Sequence, residues 1–593
     1  MRIVIILLLL FVSYGSLGQT EGLAKNYFEQ GKYEKALTIF KKLVKQNPGN
    51  NSQFLYLIKT YQQLERYDEA QVAIMEKLNG RRQYPQYYVE LGHNYTLQDK
   101  DSLANFAYQK AIKSVEENPI YAYIVGRTLS DYSRLDEAAT VYERAMELDP
   151  ERDYNSQLAR IYGEQGKLEL MFEKYIDLIQ SNVAYRPSAQ RNFSFYINED
   201  PTNEANIVFK KALLKRLQGN PDILYNELLS WLFIQQKDYR KAFTQEKAIY
   251  KRSGGDLSGI IDLLRISMEE ESYEDAKQVA EFVIENAPTI GGKISGYQYL
   301  MNIELELATE EDYAAIQQKY LGLFERFGGG SETYALQLDY NEFLAFKFGK
   351  KEEAIDNLKT LSKKRLSIYQ EARIKLILAD ILVFDEKFNQ ALIYYSQVQK
   401  KVKNDRLAQE ARFKVARTSY YKGDFEWSLV QLDVLKKSAS QLIANDAMEL
   451  ALMIRDNSLE DSTQTALKKF AKADLLVLQN RYSEANALFN DILENHKGEA
   501  VEDETLLKQG FVYETLNDFA KAEANYEKII EFYNDDILAD DAHFRLAKLY
   551  EEKLDMPQKA KDLYEQIIFN FADSIFFVEA RKRYRMLRGD EIN

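Results

Sequence analysis

The feature that most restricts this chain is a 34-residue period. An alanine recurs at Ala36, Ala70, Ala104 and Ala138, each step 34 residues. An aromatic column keeps the same step at Tyr27, Tyr61 and Tyr95, and Pro48 and Pro150 stand three periods apart. A fifth unit follows one residue short, with Ala159 and Tyr162 in the equivalent places. The register resumes at Tyr239…Ala242 and Tyr273…Ala276, and Pro288 closes the second of these units. Later units are longer: Ala391 to Ser428 and Ala485 to Ala522 are steps of 37. A last unit carries Ala547, Tyr550, Ala560 and Tyr564. Units of this length cannot bury their outer faces alone, so they must stack on one another.

Residue types say what the unit is. The 593 residues include only 9 Pro and 26 Gly, well below the usual ~5% and ~7%. Long stretches are therefore free of turn residues, which predicts helices. Small residues at Ala24, Gly92, Gly126, Ala159, Ala379, Ala416, Ala473, Gly510 and Ala547 belong to the first helix of each unit, and the aligned alanines to the second. Where two helices cross closely, small residues let the backbones approach to about 8–10 Å. A Tyr or Phe three residues before the second-helix alanine covers the turn, and a proline ends the second helix. The prediction is an all-α chain of stacked antiparallel helix pairs.

The combination Ala24, Tyr27, Ala36, Phe40, Pro48, repeated as Gly126, Ala138, Tyr142, Ala145, Pro150, resembles the tetratricopeptide-repeat (TPR) family. The resemblance covers most of residues 19–593 and implies a right-handed α-solenoid. The C-terminal part, with its longer units and the basic helix Arg581-Lys582-Arg583-Tyr584-Arg585, is similar to periplasmic TPR modules of bacterial envelope machines. A fold of this kind hosts many roles, so function has to be read from particular columns.

The chain divides by register. Residues 1–18 read as a signal peptide: Met1-Arg2, an apolar run Ile3–Val12, and Ser16 and Gly18 at the −3 and −1 places of a cleavage site. Ten apolar residues are too few to span a bilayer, which takes about 20. Without Cys the chain cannot be a lipoprotein. Residues 19–181 form an N-terminal array and 182–220 an irregular or degenerate repeat. Residues 221–365 are middle repeats, some degenerate, and 366–593 a C-terminal array ending in a capping helix. Residues 288–296, Pro-Thr-Ile-Gly-Gly-Lys-Ile-Ser-Gly, read as a long turn, and Gly328-Gly329-Gly330-Ser331 as a joint. The expected location is the periplasm, with cleavage after Gly18.

Composition excludes several kinds of chemistry. Zero Cys removes thiolate metal sites, iron–sulfur clusters and a cysteine nucleophile, and three His (His93, His496, His543) leave little for imidazole chemistry. A net charge of −14 argues against nucleic-acid partners. No zincin, nucleophile-elbow, Walker or dinucleotide motif occurs. Asp535, Asp536, Asp540 and Asp541 near His543 read as helix caps. His93 reads as a surface residue, and Trp231, which falls in the possible groove column, as core or else a contact residue. The expectation is a non-enzymatic protein with no cofactor and no metal.

One column points to binding. The residue after the small first-helix position is Lys25, Lys59, His93, Arg127 and Arg160 in five successive repeats. The TPR resemblance implies that this column lines the concave face that takes extended peptides. A basic ladder in an acidic protein would attract acidic or C-terminal peptide segments. The expected function is a periplasmic scaffold or adaptor holding envelope proteins during envelope assembly or secretion, with no membrane span of its own. The alternative is an accessory binding subunit of a polysaccharide export or synthesis system.

Overall fold

The computed structural model describes residues 21–80, 84–403, 405–438, 441–458 and 464–590. The signal-peptide reading of 1–18 falls outside them. The described residues form α-helices, short 3₁₀ turns and one π-helical turn, with no strand. Successive helices pack in pairs, each pair on the next. No helix among the described residues is long and apolar enough to cross a membrane.

The chain forms two compact units, Met1–Ser253 and Gly254–Asn593. The first begins with a helix over 21–29 and its partner Tyr33–Gln46, and ends with the pair Ile223–Gln235 and Tyr239–Arg252. Its stretch 182–220 is itself a helix pair, Arg186–Phe193 and Glu204–Gly219, joined by the tilted contact of Phe193 with Phe209, with Phe172 of the preceding helix against both rings. Trp231 packs on Phe193 and Phe209, as the core reading of that residue requires. The second unit runs from Ser258–Glu269 and Tyr273–Asn286 to Ala539–Glu552 and Pro557–Asn570, and the basic helix Phe577–Arg588 follows.

The periodic residues explain the pairing. Ala36, Ala70, Ala138, Ala242, Ala276, Ala391, Ala485, Ala522 and Ala560 are fully buried. On the first helices, a methyl group added to Gly92 would sit 2.5 Å from the Tyr108 ring, and one on Gly126 2.5 Å from the Tyr142 ring. The small residue and the aromatic sixteen positions later thus form one lock across each of these crossings, and Gly510 with Tyr526 repeats it.

The turn between paired helices follows an equally regular rule. Gly31, Glu65, Asp99, Ser133, Gly166, Lys237, Glu271, Glu386, Asn480 and Asn517 all have φ between 54° and 71°. Each stands five residues before the aligned small or apolar residue of its second helix. This left-handed residue lets two helix-closing hydrogen bonds form, as in Glu65 N to Gln62 O and Arg66 N to Tyr61 O.

Two expectations change, and one helix stands outside the paired pattern. Residues 288–296 are not a long turn: Thr289 caps the helix Ile290–Leu307 by accepting from Gly292 N at 3.1 Å. Gly296 is helical, and a methyl there would lie 2.8 Å from Ile284 Cγ1, so its glycine serves a close crossing. An additional helix, Gln441–Asp456, stands between the pairs at Arg406–Tyr421/Phe425–Ser438 and Thr465–Leu478/Tyr482–Asn495. Finally, Asp540 and Asp541 lie in the first turn of Ala539–Glu552, whose N-cap is Leu538. Neither is the N-cap residue, but Asp540 Oδ1 accepts from the first-turn Asp541 N at 3.1 Å, and both carboxyls stand at the positive end of the helix dipole. Burial and then Asp540 push the Asp541 carboxyl up to about 6. His543 is buried, with its ring nitrogens against Ala539 O at 2.7 Å and Gln566 Oε1 at 2.9 Å.

Candidate peptide-binding site

The five basic-column residues sit at equivalent places on five successive first helices: 21–29, Asn51–Gln63, Gln86–Thr96, Ala122–Asp131 and Asn155–Glu164. Their surroundings differ, and the differences decide what each can do.

The two ends of the ladder are occupied by their own helices. Lys25 pairs with Glu21 one turn back at 2.8 Å and lies over the Tyr56 ring at 5.1 Å. Arg160 meets Glu164 one turn on at 3.5 Å. Lys59 and Arg127 carry no ion pair among the described residues; Arg127 is exposed and Lys59 half-buried.

His93 is not a surface residue. It is half-buried, and its ring stacks on Tyr132 with centroids 3.8 Å apart and planes 14° from parallel. Burial, and then the positive charge of Lys59, push its imidazole down to about 4. At neutral pH this rung is an uncharged, hydrogen-bonding ring. The ladder therefore offers free positive charge at Lys59 and Arg127, with a neutral aromatic step between.

Tyr132 organises the centre. It follows the helix Ala122–Asp131 as its C-cap, and its hydroxyl donates to Glu90 Oε2 at 2.6 Å. Glu90 stands one turn before His93 on the same helix face and is 1% exposed. Burial pushes its carboxyl up to about 7, opposed by the Tyr132 hydrogen bond and by Lys59. The Lys59 ammonium lies 5.9 Å from the Tyr132 ring centre. Lys59, His93 and Tyr132 form one wall of a pocket of about 360 Å³, completed by Phe28, Gln62, Gln63, Glu65, Tyr67 and Leu97, with Glu90 buried behind Tyr132. Below it, buried Asn94 donates to Tyr67 O at 3.0 Å and ties two successive repeats together.

Sequence reasoning singled out Lys59 and His93 but missed Glu90 and Tyr132. Tyr132 reaches His93 across 39 residues of chain, and no column spacing announces that contact. Among the described residues no group of His, Cys, Asp and Glu could hold a metal ion.

Three segments match the family description "Tetratricopeptide repeat": residues 27–88, 503–536 and 541–574. The first contains Lys59 and much of the pocket wall. The chain carries tetratricopeptide repeats. TPR chains serve as protein–protein interaction scaffolds. No curated protein matches this TPR chain. Among solved structures it is similar to "Structure of Naa15/Naa10 bound to HypK-THB", at 12% identity over 97% of this chain and 96% of that one, with a TM-score of 0.27. It is also similar to "Crystal structure of APC/C hetero-tetramer Cut9-Hcn1", at 14% identity over 95% of each chain, with a TM-score of 0.24.

Proposed function

We propose that this TPR protein is a non-catalytic scaffold of the bacterial periplasm that captures acidic peptide segments of envelope proteins along Lys59, His93 and Arg127. The observation that carries the reading is Lys59, a cation with no ion pair among the described residues, at a pocket whose walls are mainly aromatic and amide with one carboxylate, Glu65. An acidic side chain or C-terminal carboxylate entering there finds a charge to pair with. His93 and Tyr132 give it a flat apolar face, and Gln62 and Gln63 supply amide donors. Arg127, one repeat further on, meets the next acidic position. The leader-like residues 1–18 support export, and the absence of Cys suits an oxidising compartment.

Two experiments test the reading. The first compares partner recovery from envelope extract by wild-type protein and by the Lys59→Glu, Arg127→Glu, Arg160→Glu triple variant, with melting curves for both. Capture should be lost without a change in melting, and wild-type capture should weaken with salt. Normal recovery by the folded variant would end the proposal. The second is the intact mass of exported protein, expected to begin at Gln19. A chain that keeps Met1 and stays in the cytoplasm would refute periplasmic residence.

A further inference from the structure

The pocket beside Lys59 is larger than an acid needs. A carboxylate paired with the Lys59 ammonium fills a small part of about 360 Å³. Four of the nine lining residues are aromatic, Phe28, Tyr67, His93 and Tyr132, and Leu97 adds an aliphatic side chain that stays 40% exposed. For a binding site the volume is small. It admits one large side chain, not a length of chain.

The walls are held before any ligand arrives. Tyr132 is fixed from two sides, by its hydroxyl on Glu90 at 2.6 Å and by the His93 ring stacked 3.8 Å away. Phe28 stands edge-on to Tyr33 and Tyr56, with centroids 5.3 and 5.6 Å away. The backbone of Tyr67 is held by Asn94 at 3.0 Å. A site assembled in advance loses little freedom when it binds.

The charges on the lining decide what fills it. Lys59 can pair with one acid. His93, pushed down to about 4 by burial and by Lys59, is neutral and offers no second cation. A second acid would find Glu65, the one carboxylate on the lining, and no positive charge left to meet. The remaining space therefore favours an uncharged group. Aromatic rings attract one another in edge-to-face and offset-stacked arrangements beyond what their area alone gives, and four rings around a small volume offer both.

We propose that this pocket takes an aromatic side chain of the captured segment, so that the protein selects segments in which an aromatic residue stands two places from an acidic one. The inference rests on the reading of Lys59 as the partner of that acid. The spacing follows from geometry. The Lys59 ammonium lies 5.9 Å from the Tyr132 ring centre. In an extended segment alternate side chains share a face and stand about 7 Å apart. An acid and a ring two residues apart thus reach the ammonium and the aromatic walls together.

The test uses the full chain and capped Gly/Ser nonapeptides with Asp-Ser-Phe or Phe-Ser-Asp at the centre, titrated by ligand-observed NMR. Matched peptides replace Phe by Ala, or by cyclohexylalanine, which keeps the size of Phe and lacks its π-system. The tighter of the two Phe peptides should bind about tenfold or more tighter than its Ala counterpart, and about threefold tighter than its cyclohexylalanine counterpart. Leu97→Ser, shown to be folded by its melting curve, should weaken the Phe peptide severalfold and leave the Ala peptide unchanged. Lys59→Glu should weaken every peptide. Equal binding of the Phe and Ala peptides, lost in Lys59→Glu, would overturn the aromatic anchor and leave the acidic reading standing. Equal binding of the Phe and cyclohexylalanine peptides, or a Phe preference untouched by Leu97→Ser, would also overturn it. Binding of the Phe peptide that persists in Lys59→Glu, or no binding by any peptide, would end both.

Discussion

Glu90 is the residue whose environment makes the sharpest demand. Its folded carboxyl titrates near 7 against an ordinary 4.5. Between those values the folded protein holds a proton that the unfolded chain has lost, so Glu90 makes stability fall as pH rises through this window. His93, lowered from 6.5 to about 4, acts in the opposite sense: it makes stability fall as pH drops from 6.5 toward 4. The two effects oppose each other in wild type. Glu90→Gln keeps an acceptor for Tyr132 and removes one of them. The variant should gain stability over wild type as pH rises from 4.5 to 7, and the gain should level off above 7 at about 1–3 kcal/mol. Denaturant midpoints across that range measure it, and a pH-independent difference would show that Glu90 is not buried as described. The column holding Lys59, His93 and Arg127 was legible because 34-residue spacing places them alike. The neutrality of His93 was not, because it arises from Tyr132 covering the ring.

At the scale of the helix pair, the sequence carried the locks but hid the hinges. Ala36, Ala70 and Gly92 stand out because a close crossing admits nothing larger. The left-handed turn residue is as regular as these alanines, but Glu65, Asp99, Ser133, Lys237 and Asn517 share no side-chain chemistry, so only the glycines at 31 and 166 hint at it. The helix Ile290–Leu307 was hidden for the converse reason: Gly291, Gly292 and Gly296 look like a turn, whereas Thr289 caps the helix and Gly296 admits Ile284. Two predictions belong here. Glu271→Gly, at φ 56°, should stabilise the second unit by about 0.5–1 kcal/mol, the relief of left-handed strain less the entropy of glycine. Asn517→Gly should gain less, because Asn tolerates this conformation. Urea midpoints read both, and a loss in Glu271→Gly would contradict the turn geometry. Gly92→Ala and Ala70→Leu should each cost about 1–3 kcal/mol by overpacking. Hydrogen exchange should show the loss confined to the affected repeat and its neighbours. Wild-type protection there would mean that the crossings are looser than described.

For the whole molecule, the stacking that buries each helix pair also brings one residue per repeat into a common column. This is how an acidic protein with no cofactor-binding motif presents a basic stripe. The stripe is not uniform: Glu21 and Glu164 occupy its ends, and Lys59, His93 and Tyr132 make a pocket at its centre. The central claim is that an acidic segment is captured at that pocket. The direct measurement is site-specific photocrosslinking in envelope extract, with the crosslinking residue placed either at Gln63, on the pocket wall, or at Lys113, exposed on the second helix Asp101–Glu117. A discrete adduct at Gln63 that vanishes in the Lys59→Glu background, with none at Lys113, is the predicted result. An adduct at Lys113 and none at Gln63, or one at Gln63 that persists in Lys59→Glu, would contradict the account.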